Sequence, residues 1–254
     1  MRIQIKQIFL STRSLLQKLS YLMADCLFPI YCANCHNFLP SNEKNYLCPQ
    51  CFSQIPLYSS LFCPICLKRL AEFKKCKHSH KKSYFNFLAS ATDYQNPIIK
   101  NLIHQYKYQY IKEIRFTLVK ILISYWEKIL KNFPQLSANY IILPIPLSLK
   151  KFNERGFNQS EEIAHLFAKY FNLDFVSDAL IRIKNNPPQA QIENYKERLE
   201  NVRGIFFVKK PELIQNKNII LIDDVFTSGA TLQEASRLLK EAGAKRIVGL
   251  TIAK

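Results

Sequence analysis

The sequence lacks any long apolar run, any low-complexity region and any convincing secretory signal. No stretch reaches the roughly 18 apolar residues that a membrane-spanning helix needs. Basic side chains interrupt the apolar positions of the first 30 residues, and no small-residue cleavage site follows them. Hydrophobic residues make up 48% of the 254 residues, which is ample for a core. We therefore expect one large globular domain, alone or with a small one, and neither a membrane-spanning nor a largely disordered chain.

Acidic residues are scarce, and the resulting charge is uneven. The chain has 36 Lys and Arg against 19 Asp and Glu, a formal net charge of +17. Residues 1–82 hold 12 basic and 3 acidic residues, or +9, whereas residues 83–254 hold 24 and 16, or +8. This excess favours a phosphate-rich partner or an anionic membrane surface. A generally lysine-rich composition explains it equally well.

Residues 1–28 predict an amphipathic helix. Ile8, Leu15 and Leu19 can share one face, with basic residues interspersed. Such a helix could lie on a membrane surface. Packing on the cysteine-rich segment or on a partner is the more common arrangement.

Seven of the eight cysteines lie between residues 32 and 76, mostly as Cys-x-x-Cys pairs. Each pair forms a tight turn that directs two sulfurs at one metal ion, and two such turns complete a tetrahedral zinc site. The alternatives are idle core cysteines or a disulfide framework, and the latter is disfavoured because the sequence shows no convincing secretory signal and we expect a reducing cytoplasm. Residues 29–82 are therefore predicted to form a zinc-ribbon module whose metal is structural. The candidate ligands are Cys32, Cys35, Cys48 and Cys51 for the first ion, and Cys63, Cys66, Cys76 and His78 for a second.

The second zinc site has alternatives. His80 could replace His78, or the last three cysteines could cross-brace with the first four. Cys26 stands outside these pairs and is predicted to be a packing residue.

The most informative segment combines a short apolar run, two carboxylates and a loop of small residues. Ile219–Ile222 reads as a buried strand, Asp223 and Asp224 follow it, and a helix begins after the loop. Free N–H groups at such a helix start favour a phosphate, with further donors from the loop hydroxyls. The carboxylates could accept from sugar hydroxyls or help to hold Mg²⁺. An ordinary strand–turn–helix is the simpler alternative, but it leaves two adjacent carboxylates without a partner. The loop residues are Thr227, Ser228, Gly229, Ala230 and Thr231.

Alternating strands and helices predict a mostly parallel sheet over residues 83–254, with ligands beyond the carboxyl ends of its strands. The predicted strands are Leu88–Ala91, Tyr140–Leu147, Ala179–Ile183, Ile205–Val208, Ile219–Ile222 and Ile247–Ile252. The predicted helices begin at Pro97, near residue 111, at Gln159 and at Leu232.

Two further segments point to the same edge of the sheet. After Pro144-Ile145-Pro146 comes a basic loop in which Lys151 and Arg155 could hold a diphosphate. The Pro-rich segment 186–206 suits a mobile arm that acts as a lid. Tyrosines and basic residues interleave over Ile98–Tyr110, as in some single-strand-binding surfaces, although a buried tyrosine-rich helix face is more common.

Taken together, these motifs resemble the ComF family of competence-associated, phosphoribosyltransferase-like proteins. The resemblance runs from about Cys32 to the C-terminus. It comprises the cysteine pairs, Pro-x-Pro followed by Glu-Arg-Gly-Phe-Asn-Gln (154–159), Pro-Pro-Gln followed by Arg-x-x-Asn-Val-x-Gly-x-Phe (198–206), and the phosphoribosyl pyrophosphate (PRPP) motif at 219–231.

The resemblance implies an α/β, type I phosphoribosyltransferase-like fold. It also implies roles for individual residues: Asp223 and Asp224 meet the ribose hydroxyls, Thr227–Thr231 the 5-phosphate, and Lys151 and Arg155 the pyrophosphate. Mg²⁺ would accompany PRPP. The chain has no cysteine before Cys26 and no glutaminase domain, so a glutamine-using reaction is not favoured.

Two classes of function follow from the resemblance. The chain is either a PRPP-binding protein that takes part in DNA uptake and binds single-stranded DNA, or an active phosphoribosyltransferase in nucleotide metabolism or salvage. In the first case we expect a cytoplasmic location, peripheral at the inner face of the membrane, beside DNA-uptake machinery proteins. A lysine cluster after the last cysteine, with Tyr84 and Phe85 to stack on bases, is the candidate DNA surface. The lysines are Lys74, Lys75, Lys77, Lys81 and Lys82.

Overall fold

The computed structural model describes residues 23, 25–40, 45–74, 76, 83–137, 139–184 and 200–254. The chain divides into two compact units between Ile55 and Pro56. In the part of the chain that is described, no helix combines the length and apolar character needed to cross a membrane. The amphipathic helix predicted over residues 1–28 lies almost wholly outside the described residues.

The smaller unit gathers four cysteines beside a few buried apolar side chains, among them Leu39, Leu47 and Ile55. Strand β1 (Ile30–Tyr31) pairs antiparallel with β2 (Phe38–Leu39), and the short helix α1 (Pro49–Ser53) follows. Cys48 caps α1, because its sulfur accepts a hydrogen bond from the backbone N–H of Cys51. The Cys32–Cys35 turn and the first turn of α1 direct their four sulfurs at the same point.

The larger unit contains a seven-stranded sheet in the order β4-β3-β5-β11-β10-β6-β7, with a separate antiparallel pair, β8 and β9. Strands β5, β11, β10, β6 and β7 run parallel, and β3 and β4 extend one edge antiparallel. The strands are β3 (Leu61–Phe62), β4 (Arg69–Leu70), β5 (Phe87–Thr92), β6 (Tyr140–Pro144), β7 (Asp174–Phe175), β8 (Leu180–Arg182), β9 (Phe206–Val208), β10 (Asn218–Val225) and β11 (Arg246–Ala253).

In the described part of the larger unit, helices α2 to α6 accompany the sheet, and their apolar faces account for their positions. In α2 the side chain of Asn96 accepts from the N–H groups of Ile98 and Ile99, and Pro97 occupies the first turn, as the sequence predicts. Helices α3 and α5 pack on each other and on the sheet, whereas Leu232 of α6 joins the core cluster that contains Ile219. The helices are α2 (Pro97–Tyr108), α3 (Ile114–Asn132), α4 (Leu149–Arg155), α5 (Gln159–Phe171) and α6 (Ala230–Glu241).

Strand β10 occupies the centre of the parallel part of the sheet. Its Ile220 lies opposite Val248 of β11 and Ile142 of β6, and all three side chains are buried. A strand paired on both sides and covered on both faces tolerates only apolar residues until it reaches the sheet edge. Polar chemistry is therefore confined to the carboxyl ends of these strands.

Several element bounds differ from the predicted ones, and three differences change the description of the fold. Strand β10 continues to Val225 instead of ending at Ile222, because the acidic residues still pair with β11. The predicted basic loop contains helix α4, which Ser148 caps and Gly156 ends with a φ of 74°. The hairpin β3–β4, which carries the second set of cysteines, pairs with β5 of the large sheet. The predicted domain boundary at residue 82 lies in a segment outside the described residues and stays a prediction.

Candidate functional site

The two acidic residues at the end of β10 are held by different partners. Asp223 Oδ1 accepts from the Ser160 hydroxyl at 3.0 Å and from the Asp224 backbone N–H at 2.9 Å. Asp224 Oδ2 lies 2.9 Å from the Lys107 ammonium, and the two side chains of this ion pair are only 14% and 19% exposed. Helices α2 and α5 and strand β10 thus meet at one acidic pair.

Burial controls the charge of the acidic pair. It raises the pKa of Asp223 to about 7, and the neighbouring Asp224 carboxylate adds to the increase, while Lys107 and the two hydrogen bonds oppose it. Burial also opposes the charge of Lys107, but the Asp224 carboxylate outweighs it and raises the pKa of Lys107. Near neutral pH Asp223 is therefore poised between its two protonation states.

The loop after β10 has a shape that depends on one glycine. Gly229 has a φ of 76°, and a Cβ there would lie 2.5 Å from Cζ of Phe226, so only glycine fits. Helix α6 starts at the next residue, so the N–H groups of its first turn face this loop, and the Ala230 N–H donates to Ser228 Oγ at 3.4 Å. Thr227 and Thr231 line the adjoining cleft. The loop therefore combines N–H donors with hydroxyls at a helix N-terminus, which is favourable for an anion.

Four basic side chains converge on a cleft of about 660 Å³ beside the acidic pair. Lys151 and Arg155 lie one turn apart on α4, Arg182 comes from β8, and Lys107 from α2. Burial lowers the pKa of Lys151, and Arg155, Arg182 and Lys107 lower it further because like charges repel. An anionic ligand in the cleft would relieve this repulsion.

Arg155 is oriented by two neighbours. Its Nη1 donates to the buried Gln159 side-chain oxygen at 2.9 Å, and its guanidinium lies 5.5 Å from the centre of the Tyr108 ring. A guanidinium fixed in this way is preorganised for phosphate oxygens.

The structure brings most of the predicted ligand-binding residues together. Asp223, Asp224, Thr227, Thr231, Lys151 and Arg155 line the cleft, and Gly229 lines a small recess beside it. The roles assigned to them, and to Ser228 and Ala230, stay predictions. No sequence motif pointed to Arg182. Lys107 was predicted only as part of a possible nucleic-acid surface and not as a residue of the ligand site. The predicted lid segment lies mostly outside the described residues, but Asn201 and Val202 at its end line the cleft.

The cysteines form two clusters in which a metal ion could be held. The sulfurs of Cys32, Cys35, Cys48 and Cys51 lie within 4.8 Å of one another, as do those of Cys63, Cys66 and Cys76. Cys35 and Cys48 are 3.7 Å apart at sulfur, close to the separation of about 3.8 Å that tetrahedral zinc imposes. None of the eight cysteines forms a disulfide. His78 and His80, the predicted fourth ligands of the second cluster, lie outside the described residues.

Part of the predicted DNA surface is wrong. Phe85 is 2% exposed and belongs to the core, so it cannot stack on bases. Tyr106 is also buried, whereas Tyr108 and Tyr110 are exposed. Of the five clustered lysines only Lys74 is described, and it pairs with Glu72 at 2.7 Å.

The chain is similar to proteins named for competence and for DNA utilization. The chain is 30% identical over 208 residues to competence protein ComFC of Streptococcus pneumoniae, covering 81% of this chain and 86% of that protein. It is 25% identical over 222 residues to competence protein F of Haemophilus influenzae, covering 81% and 96%. It is 27% identical over 207 residues to DNA utilization protein YhgH of Salmonella typhimurium, covering 81% and 82%.

The phosphoribosyl transferase domain family matches residues 158–253. These residues span α5 to β11 and include the acidic pair and the loop that follows it. With the parallel sheet and its flanking helices, this match shows the predicted type I phosphoribosyltransferase-like fold. A solved glutamine PRPP amidotransferase from B. subtilis has 18% sequence identity and a TM-score of 0.35, over 54% of this chain and 25% of that one.

The raised pKa of Asp223 predicts a pH-dependent stability difference. A folded-state pKa of about 7, against an unfolded value near 4, means that the wild-type protein loses stability as pH rises between these values. Asp223→Asn keeps an oxygen acceptor for both hydrogen bonds and does not ionise. Its stability advantage should grow by about 2–4 kcal/mol from pH 4 to pH 7 and then level off. Urea unfolding at several pH values measures this difference.

Asp178→Asn is the control, because Lys210 holds the pKa of this exposed carboxylate below its usual value. That variant should show no gain as pH rises. A constant difference between Asp223→Asn and wild type over the same range would contradict a buried, proton-binding Asp223.

Proposed function

Because this chain belongs to the ComF family of competence and DNA-utilization proteins, we propose that it binds PRPP or a related ribose 5-phosphate ligand and takes part in DNA uptake. The proposal depends on one observation. An acidic pair, a small-residue loop at a helix start and four basic side chains line the same cleft. A ligand with a sugar diol between two phosphate groups matches this order of charges.

The parts of the ligand can be assigned by their chemistry. The 5-phosphate belongs at the start of α6, where N–H groups and threonine hydroxyls provide donors. The ribose hydroxyls belong at Asp223 and Asp224, which accept hydrogen bonds when ionised. The pyrophosphate belongs beside Lys151, Arg155 and Arg182, where it would neutralise mutually repelling cations.

Magnesium enters this proposal as the counter-ion of the pyrophosphate oxygens. The acidic pair fits a directly bound Mg²⁺ poorly, because the Lys107 ammonium is already 2.9 Å from Asp224 Oδ2. Bound at the pyrophosphate, the ion would supply charge neutralisation for a leaving group. The residues of the chain would orient the ribose and hold the phosphates.

Replacing both carboxylates tests the ligand site. Asp223→Asn with Asp224→Asn should weaken PRPP binding at least tenfold, the effect of losing about 1.4 kcal/mol of charge-assisted hydrogen bonding. Isothermal titration calorimetry with PRPP and MgCl₂ measures it. The matched control is Asp174→Asn with Asp178→Asn, two exposed residues away from the cleft.

Unchanged affinity in the folded cleft variant would remove the carboxylates from the site. Pyrophosphate release from PRPP, Mg²⁺ and pooled bases separates the two classes of function. Pyrophosphate release by wild type that is lost in the Asp223→Asn, Asp224→Asn variant indicates an active phosphoribosyltransferase. If wild type binds PRPP but releases no pyrophosphate, the protein is better described as a binding protein.

We also propose that the cysteine clusters hold structural zinc. Four sulfurs within 4.8 Å of one another can complete one zinc site, and three more need one further ligand, which we assign to His78 or His80. Purified, untagged protein should contain one to two zinc ions per chain by elemental analysis, and Cys48→Ser should release at least one and unfold the small unit locally. Cys26→Ser, at an exposed cysteine outside both clusters, should keep its metal. Zinc-free, folded protein would reject the proposal.

The DNA part of the proposal rests on the basic first third and on the family. We propose that the lysine cluster at residues 74–82 binds single-stranded DNA beside the uptake machinery at the cytoplasmic face of the membrane. Binding should weaken steeply with salt, because each neutralised phosphate releases counter-ions. Changing Lys74, Lys75, Lys77, Lys81 and Lys82 to Gln should abolish binding in fluorescence anisotropy with labelled single strands.

A second variant controls for the loss of net charge. It changes five exposed lysines elsewhere to Gln: Lys128, Lys131, Lys209, Lys217 and Lys245. This control should reduce binding only slightly. Equal loss in both variants would show a general charge effect, and binding untouched by the first would exclude the cluster as a DNA site.

A further inference from the structure

Among the described residues that line the cleft, Lys107 is the basic residue that pairs directly with the acidic pair. Its Nζ lies 2.9 Å from Asp224 Oδ2, and its side chain is 19% exposed. The residue was not among those expected to bind the ligand. Its position raises the question of what a buried cation does at carboxylates that are meant to receive a sugar.

The fold holds Lys107 in place from both sides. The neighbouring Tyr106 is fully buried and its hydroxyl donates to the backbone carbonyl of Gln159 at 3.4 Å. Tyr108, on the other side, lies against Arg155. Helix α2 is anchored further by its buried face and its Asn96 cap. Lys107 is therefore a fixed part of the cleft and not a surface lysine that happens to reach it.

Protein donors already take up part of the acidic pair's capacity to bind a metal ion. Asp223 Oδ1 accepts from Ser160 and from the Asp224 N–H, and Asp224 Oδ2 faces Lys107. Two of the four carboxylate oxygens are thus engaged by protein donors. Mg²⁺ requires near-octahedral oxygen coordination, and an adjacent ammonium repels it. A monovalent cation supplied by the chain already balances much of the carboxylate charge.

We propose that Lys107 takes the place of a divalent cation at the acidic pair, so that Asp223 and Asp224 receive sugar hydroxyls without binding metal directly. The part that concerns the sugar rests on the proposed ribose phosphate function, whereas the part that concerns metal exclusion does not. Lys107 acts in this scheme as a positioning residue, because it balances and orients Asp224 and does not itself contact the sugar.

The direct test is Mn²⁺ binding in the absence of any phosphorylated ligand, measured by electron paramagnetic resonance on zinc-loaded protein. Lys107→Met keeps the length of the side chain and removes its charge. It should bind Mn²⁺ at least about tenfold more tightly than wild type, because the repelling charge is gone. Adding Asp224→Asn should abolish that gain. Lys107→Arg should behave like wild type, and so should Lys100→Met at an exposed position on the same helix.

A second measurement follows the sugar ligand. Zinc-loaded wild-type protein should bind ribose 5-phosphate equally well in magnesium-free buffer and in MgCl₂, whereas Lys107→Met should bind it only with the added divalent ion. Failure of wild type to bind ribose 5-phosphate or PRPP would reject the proposed function but leave the Mn²⁺ result intact.

Two outcomes would overturn the inference. One is a folded Lys107→Met protein whose Mn²⁺ affinity matches that of wild type. The other is wild-type protein that binds Mn²⁺ tightly and loses it in Asp223→Asn, an outcome that decides the matter even where Lys107 variants do not fold.

Discussion

Two adjacent carboxylates at the end of a fully buried central strand impose the constraint on which the site depends. Strand β10 is apolar from Ile219 to Ile222 because it is paired on both sides and covered on both faces. The acidic pair stands where that burial gives way to the cleft. Like charges there need compensation. The protein provides it through the Ser160 hydroxyl, the Asp224 N–H and the Lys107 ammonium, which come from three different elements.

The basic side of the cleft has the opposite character. Lys107 is neutralised, but Lys151 is half-buried beside other cations, and burial together with their repulsion lowers its pKa. Helix α4 contributes two of these cations because residues four apart share a helix face. Arg182 reaches the cleft from the separate β8–β9 pair. The site is thus balanced at the acidic pair and unbalanced at the basic side, so it favours an anion there. This asymmetry is what a sugar carrying a pyrophosphate requires.

The two cysteine clusters relate to a second constraint, which is the stability of short hairpins. Strands β1 and β2 have two residues each and cannot bury enough surface to be stable alone. Four converging sulfurs offer a metal-dependent substitute for a core. In the larger unit the second cysteine hairpin is also tied to the main sheet through β5.

The sequence by itself determined the α/β class, the cysteine pairs and the position of the acidic pair and its loop. These features are local: strand burial is visible in a run of isoleucines, a helix cap in Asn96-Pro97, and a metal site in cysteine spacing. Only the tertiary structure brought Lys107 and Arg182 to the cleft, because they lie more than 40 residues from the acidic pair and belong to no recognisable motif. It also buried Phe85, turned the basic loop into a helix and joined the second hairpin to the sheet. Such outcomes depend on which faces of distant elements pack together, and no local pattern specifies that.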